Sequence, residues 1–493
     1  MQNTTSRINQ LWFLTLLLLL FFALATAWLD KPFTGHHDWD NVLYTHAVRN
    51  YLKFGYSDLG YIQVYSPLKS LPDDLDRSGA YVYRHNPPTL AILQSLSVRA
   101  FADSEAFIRL PNIIITLFSI TIIYQLSKAM YGRRTAVRVT FFFAFAPLVV
   151  YFSRAVNHEA GNIFFVNAML LAYLHWTRKK QPSSLAIAHM LAFAGLWFGH
   201  FMAFFLVFFF IYGLIWGTSE EKIAIFTICL AGFVGFATWI TYTTKGFDSY
   251  ILEEFEEIFT QRTSTSAGDS ATVESFNTLD YLGRMLLRIS YGFSFFGFLF
   301  ALFGIYSLYK QGMKRQDYLI WVHLIAGLVY TTLWRNATWI HDYFTYYVVA
   351  PLAIWAGYGL HIVWPHGSTK PRNRPQLYAW GGLIGHVVLV MAVSVVLIAL
   401  SNRSFLTVAD LVAERTTEDE RIATNLPYRG PHIEFYAERT ISFDVKFDVN
   451  QLDEVFTTRG YDFYLVCNLR EAPNWPPQVT VEEAKSCYAV RPR

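Results

Sequence analysis

Two aspartates, Asp38 and Asp40, stand in the stretch His36-His37-Asp38-Trp39-Asp40, shortly after the first long apolar run of the chain, Leu11 to Leu29. Carboxylates held against a bilayer surface are costly unless they are paired, liganded or used. One use is general base catalysis, in which the carboxylate takes the proton of an attacking hydroxyl. Two later segments supply complementary groups, Arg154 with Glu159 and Arg335 with His341. Arginine or protonated histidine near a phosphate stabilises its departure by charge-assisted hydrogen bonds. The residue types therefore fit base-assisted attack on a centre that releases an anionic group, at a membrane surface.

The elements that carry these residues follow from composition. Of 493 residues, 53% are hydrophobic, 18% aromatic and only 16% charged, against about 25% charged in soluble proteins. This is a polytopic membrane chain. Its formal net charge of +3 and the absence of basic residues interleaved with aromatics on a polar surface give no reason to expect a nucleic-acid partner. Apolar runs long enough to cross a hydrocarbon core suggest about eleven spans. They fall near 11–29, 108–128, 136–152, 160–176, 184–200, 201–217, 223–243, 286–309, 318–334, 343–364 and 377–400. With the N-terminus inside, the basic clusters at Lys128 to Arg138, Arg178-Lys179-Lys180, Lys310 to Arg315 and Lys370 to Arg374 all become cytoplasmic, as basic residues prefer. A further span over Thr89 to Ala102 would break that pattern, so this segment reads as an interfacial helix.

Four segments then lie outside: a long first loop from Asp30 to Arg109, the Arg154 to Glu159 turn, the Lys245 to Arg284 loop, and Arg335 to Asp342. The division expected is a membrane domain over 1–400, with the first outer loop at 30–109, and a small external α/β domain over 401–493. In the latter, Arg421-Ile-Ala-Thr-Asn, Thr440-Ile-Ser-Phe-Asp and Phe463-Tyr-Leu-Val-Cys read as strands, and His432 to Glu438 and Leu452 to Arg459 as helices, a βαβ rhythm. Cys467 and Cys487 fall in strands of a compartment where disulfides persist, and spacing leaves open whether they pair or stay as separate thiols. Cys229 reads as an apolar filler within a span. No P-loop, zinc-ligand spacing or Gly-x-Ser-x-Gly elbow is present, so neither a metal nor another cofactor is indicated.

The order of short motifs resembles the GT-C glycosyltransferases of the protein O-mannosyltransferase and lipid A aminoarabinose transferase type. The residues carrying the likeness are Asp38-Trp39-Asp40 with Tyr44 and Arg49-Asn50-Tyr51; His85-Asn86-Pro87-Pro88; Arg109-Leu110-Pro111; Gly132-Arg133-Arg134; Ser153-Arg154 with Glu159; and His341-Asp342-Tyr343 with Pro351. The likeness is closest over the first 180 residues or so. It implies an all-α polytopic GT-C membrane domain with a small α/β extracytoplasmic domain. It also implies an inverting transfer of sugar from a polyprenyl-phosphate donor to a lipid, glycan or protein acceptor outside the cytoplasmic membrane. On that reading Asp38, Asp40 and Glu159 are catalytic, with the base being Asp38 or Asp40. Substrate contacts fall to His37, Tyr44, Arg49, Tyr83, His85, Asn86, Arg154, His158, Arg335, His341 and Tyr343. Asn41 stands where the family often has Glu after the acidic position, Asn86 replaces its usual Lys or His before Pro-Pro, and Glu159 its usual Asp.

Structural roles compete at each position. Asp38 and Asp40 suit the cap of a helix starting near Asn41, Glu159 can bridge to Arg154, and Arg109 can snorkel at a span end. His341, beside Trp339 and Tyr343, fits an aromatic belt. The loop from Lys245 to Arg284 joins an amphipathic acidic stretch from Tyr250 to Phe259 to a Ser/Thr/Gly-rich strip, the composition of a lid or of a plain connector. A lipid-linked-sugar flippase or transporter is the rival function, and it would call for charge deep inside the spans.

Overall fold

The computed structural model describes residues 2–73, 75, 81–84, 86–244, 256, 259–264, 266–267, 274–364, 374–401, 403–426, 430–442, 445, 448–467, 473–484 and 487–493. The chain folds as two compact units, one of Met1–Lys31 with Arg84–Ala399, the other of Pro32–Tyr83 with Leu400–Arg493.

The first unit is helical and forms a polytopic membrane fold. Each apolar run read from the sequence coincides with helix: Gln2–Thr26, Glu105–Tyr131, Arg133–Ala144 with Pro147–Phe152, Glu159–Lys179, Pro182–Leu196, Phe201–Trp216, Ser219–Thr244, Thr278–Gly292 with Phe295–Gln311, Arg315–Leu333, the 3-10 turn Asp342–Val348 with Val349–Val363, and Arg374–Ala399. Thr89–Ala100 is a separate short helix. By length and apolarity alone, four described helices suffice to cross a membrane, or five if a bent pair is counted as one span. Glu159–Lys179 and Arg315–Leu333 fall outside that group because polar residues, Asn162, Asn167, Asp317 and His323 among them, lower their apolarity, and these side chains are buried.

Two expected spans are not single helices. The 136–152 run breaks at Phe145 and Ala146, where Pro147 starts a new helix because proline fits the first turn and not the interior. The 286–309 run bends by 100° between Gly292 and Phe295. Ser294 takes a left-handed backbone with φ 74°, its Oγ accepts the Gly297 N–H at 3.2 Å and meets His386 Nδ1 at 2.7 Å. Elsewhere the helices pack through small residues. A Cβ at Gly304 would lie 2.0 Å from the Trp355 carbonyl oxygen, and one at Gly359 2.4 Å from that of Phe300, so only glycine permits this close crossing.

The second unit joins the C-terminal segment to part of the first loop. Its five-stranded sheet runs, edge to edge, Ile441–Ser442, Ile422–Thr424, Phe463–Cys467, Cys487–Pro492 and Val479–Ala484. The first three strands are parallel, connected through the helices Gly430–Ala437 and Leu452–Thr457, and a C-terminal antiparallel hairpin completes the sheet. Cys467 and Cys487 face each other in register and form a disulfide.

A domain boundary placed at residue 400 leaves out the part of the first loop that belongs to this unit. The helix Asp38–Phe54 packs on Gly430–Ala437: Arg49 lies 4.2 Å over the Phe435 ring, and Phe33 and His46 meet that ring edge-on at 5.8 and 5.6 Å. Phe33 N–H donates to Tyr436 Oη at 2.7 Å. Burial, with Arg49 nearby, lowers the His46 pKa to about 3, so the imidazole is neutral in this packing.

Candidate active site

The acidic motif of the first loop is built by a tight turn. His37 has φ 57°, and the helix begins at Asp38 itself rather than near Asn41. Asp38 is buried; its Oδ2 accepts the Gly35 N–H at 2.5 Å and its Oδ1 accepts the Asn41 side-chain amide. The carboxylate is thus oriented from the loop side, and both it and the half-buried Asp40 sit in the first helical turn, where the helix dipole favours negative charge. The His36 and His37 rings lie 4.0 Å apart.

One helical turn on, Tyr44 meets Tyr65 edge-on at 5.4 Å, and Tyr65 stacks on Tyr83 at 4.6 Å. Burial, reinforced by the Tyr44 and Tyr83 phenols, holds the Tyr65 hydroxyl well above its ordinary pKa. Asn50 ties the loop down, donating to the Val64 and Ser66 carbonyls at 3.0 and 2.9 Å and accepting the Leu68 N–H at 3.2 Å. Arg49, expected at a substrate, spends its guanidinium face on Phe435. His85 lies outside the described residues, and Asn86 is half-buried.

In the helical unit the Ser153–Glu159 turn is held from three sides. Arg154 donates through one terminal nitrogen to the Ala27 carbonyl and through the other to that of Trp28 at 2.7 Å. Arg109 donates from a single terminal nitrogen to the Leu29 carbonyl, at 2.7 Å, and to that of Lys31. Two guanidinium groups thus cover the carbonyls that follow the first helix, where positive charge is favoured. From the Glu105–Tyr131 helix, Asn112 donates to the Ala155 and Asn157 carbonyls. His158 places Nδ1 2.6 Å from the Phe198 carbonyl, and burial lowers its pKa to about 3, so the ring is neutral and Nδ1 is the protonated nitrogen.

Glu159 opens the Glu159–Lys179 helix, is buried, and accepts the Tyr347 hydroxyl on Oε1 at 3.3 Å. Tyr347 comes from the segment that also holds His341 and Tyr343, whose rings stack at 4.9 Å; Tyr343 meets Phe152 edge-on at 5.8 Å. The structure therefore brings the Arg154–Glu159 turn and the His341–Tyr343 motif together. Asp342 is buried and accepts the Tyr291 hydroxyl at 2.8 Å, while Arg288 donates to the Thr338, Trp339 and Ile340 carbonyls. Arg335 donates Nε–H to the Thr263 carbonyl at 2.7 Å and lines a cavity of about 540 Å³ with Phe276, Asn277, Tyr281 and Leu328. Of the expected lid, most of the acidic stretch lies outside the described residues; Gln261 and Ser264 accept the Asn336 amide at 2.9 and 3.0 Å.

Sequence reasoning missed Tyr65, Asn112, Asn162, Arg288 and Tyr347. Asn112, Asn162 and Arg288 each carried a signal, a polar or charged residue within an expected apolar span.

Residues 85–242 match the family model described as dolichyl-phosphate-mannose-protein mannosyltransferase. No curated protein matches the chain by sequence. Among solved structures, ArnT from Cupriavidus metallidurans in the apo state is 14% identical with a TM-score of 0.65, over 99% of this chain and 98% of that one. The same protein bound to undecaprenyl phosphate gives 13% and 0.63, over 97% of each chain. The archaeal oligosaccharyltransferase AglB from Archaeoglobus fulgidus, in complex with an inhibitory peptide and a dolichol-phosphate, gives 12% and 0.61, over 94% of this chain and 70% of that one. Residues 85–242 are thus similar in sequence to the protein mannosyltransferases, and the chain shares the fold of the ArnT structures along nearly its whole length.

Proposed function

We propose that the protein transfers a sugar from a polyprenyl-phosphate donor to an acceptor on the outer side of the cytoplasmic membrane, inverting the anomeric centre in one displacement. The observation that carries this reading is the buried Asp38 carboxylate, fixed through both oxygens at a helix N-terminus. A carboxylate oxygen carries two lone pairs, so a hydrogen-bonded Asp38 can act as the base that takes the proton of an attacking acceptor hydroxyl. Asp40, in the same turn, is the alternative base.

The phosphate of the donor leaves as the sugar passes through an oxocarbenium-like state. In this reading Arg335 and His341, with His85, neutralise that phosphate. Arg154 fixes the turn bearing Glu159, since its fork already serves two carbonyls. Tyr44, Tyr83 and Asn86 face the sugar or acceptor. The undecaprenyl phosphate and dolichol-phosphate held by the solved relatives support the donor class. The distribution of basic residues supports an N-terminus inside and a C-terminus outside.

Asp38→Asn tests the reading, because it removes the base and keeps size and hydrogen-bonding capacity. In a deletion strain, mass spectrometry of envelope lipids, glycans and proteins identifies the missing sugar. Complementation by wild type should restore it and Asp38→Asn should not, at equal membrane abundance. Full restoration by the variant would end the assignment of Asp38, and the same test on Asp40 would then show whether that residue is the base.

A further inference from the structure

Glu159 does not stand alone at its helix start. Its Oε1 accepts the Tyr347 hydroxyl at 3.3 Å, and the same hydroxyl oxygen accepts the Asn162 side-chain N–H at 3.2 Å. All three side chains are buried, with 5%, 1% and 1% of their surface exposed for Glu159, Tyr347 and Asn162. Asn162 is three residues beyond Glu159 on one helix, the spacing that puts both on one face. The Asn162 amide points its hydrogen at the phenol oxygen, which leaves the phenol proton only one direction to serve, toward the carboxylate.

Surroundings fix this chain of donors. The Tyr347 ring stacks on Phe201 at 4.1 Å and meets Tyr330 edge-on at 4.9 Å. A Cβ at Gly199 would lie 2.5 Å from Asn162 Nδ2, so glycine there makes the room the amide occupies. Neither Tyr347 nor Asn162 has its position set by the other alone.

We infer that Tyr347, oriented by Asn162, is a positioning residue that holds the Glu159 carboxylate in the rotamer used during sugar transfer. This rests on the reading of Glu159 as a residue of the transfer site. A hydrogen bond to a charged group is worth enough to change a rate by about ten- to a hundredfold when it is lost.

The test uses Tyr347→Phe, which deletes only the hydroxyl and keeps the stack on Phe201. Transfer is measured in membranes of the deletion strain expressing each full-length variant, with endogenous donor and acceptor, and melting is followed on the same proteins in detergent. Tyr347→Phe should lower transfer about ten- to a hundredfold, and should cost nothing more in a Glu159→Gln background. Asn162→Ala should reproduce a smaller loss with the same dependence on Glu159, and it serves in place of Tyr347→Phe should that variant not accumulate.

A purely structural role would instead lower melting and transfer in both backgrounds, and that additive result would overturn the inference. So would wild-type transfer by Tyr347→Phe and Asn162→Ala while Glu159→Gln is inactive. Wild-type transfer by Glu159→Gln would instead overturn the role given to Glu159 itself.

Discussion

Arg154→Ala separates two roles that the sequence alone could not. Spacing suggested a phosphate ligand, whereas the folded guanidinium serves the Ala27 and Trp28 carbonyls at the end of the first helix. Arg154 itself is buried, but Trp28 is 61% exposed, so water can replace part of what the Trp28 carbonyl loses. Hydrogen bonds from a charged donor contribute about 1.5–3 kcal/mol each. Counting the Ala27 bond in full and the Trp28 bond at about half, truncation should cost about 2–4.5 kcal/mol. Loss of a cation beside the helix C-terminus adds about 0.3–1 kcal/mol.

Lysine keeps the charge but lacks the planar fork, so Arg154→Lys should recover roughly half of that loss. The assay is thermal melting in detergent, with transfer per folded molecule measured in parallel. We expect Tm to fall for Ala, less for Lys, and residual transfer to follow the folded fraction. An unchanged Tm with abolished transfer would refute the structural role and return Arg154 to the donor phosphate.

Burial pushes the Glu434 carboxyl up to about 8 from 4.5, against the opposing Ile441 N–H. Between those values the unfolded chain has released a proton that the folded chain keeps, so stability should fall by about 1.4 kcal/mol per pH unit as pH rises. Glu434→Gln should flatten the melting profile across that window, and an unaltered slope would place its origin elsewhere. The Cys467–Cys487 bridge closes a sequence separation of 20 residues, for which chain entropy gives about 3 kcal/mol. The paired Cys467→Ala, Cys487→Ala variant should therefore unfold its sheet at lower temperature, read as earlier proteolysis of the C-terminal segment on heating of the full chain. Equal resistance in both proteins would show that the sheet does not rely on the bridge.

What the sequence determined was whatever a local stretch can express. Apolar length and basic flanks mark the helical runs of the first unit, though not their breaks, because hydropathy is additive along the chain. Ile422–Thr424, Ile441–Ser442 and Phe463–Cys467 were legible as strands because β-branched and aromatic residues alternate there with helical stretches. The acidic, Arg-Leu-Pro and Gly-Arg-Arg motifs were likewise continuous strings, and Gly132 at φ 85° shows why a glycine ends the helix before the two arginines.

Tertiary structure alone decided the partners. Arg154 reaches Ala27 across 127 residues, Tyr347 reaches Glu159 across 188, and Phe33 reaches Tyr436 across 403. No window of sequence contains both ends of such a contact. The 100° bend after Gly292 is the same kind of case. The run 286–309 is long enough to be taken for one span, and the break is stabilised by Ser294 meeting His386, 92 residues away. Hydropathy measures whether a segment prefers lipid to water, and it is blind to which buried polar atom, far along the chain, a segment must bend or turn to satisfy.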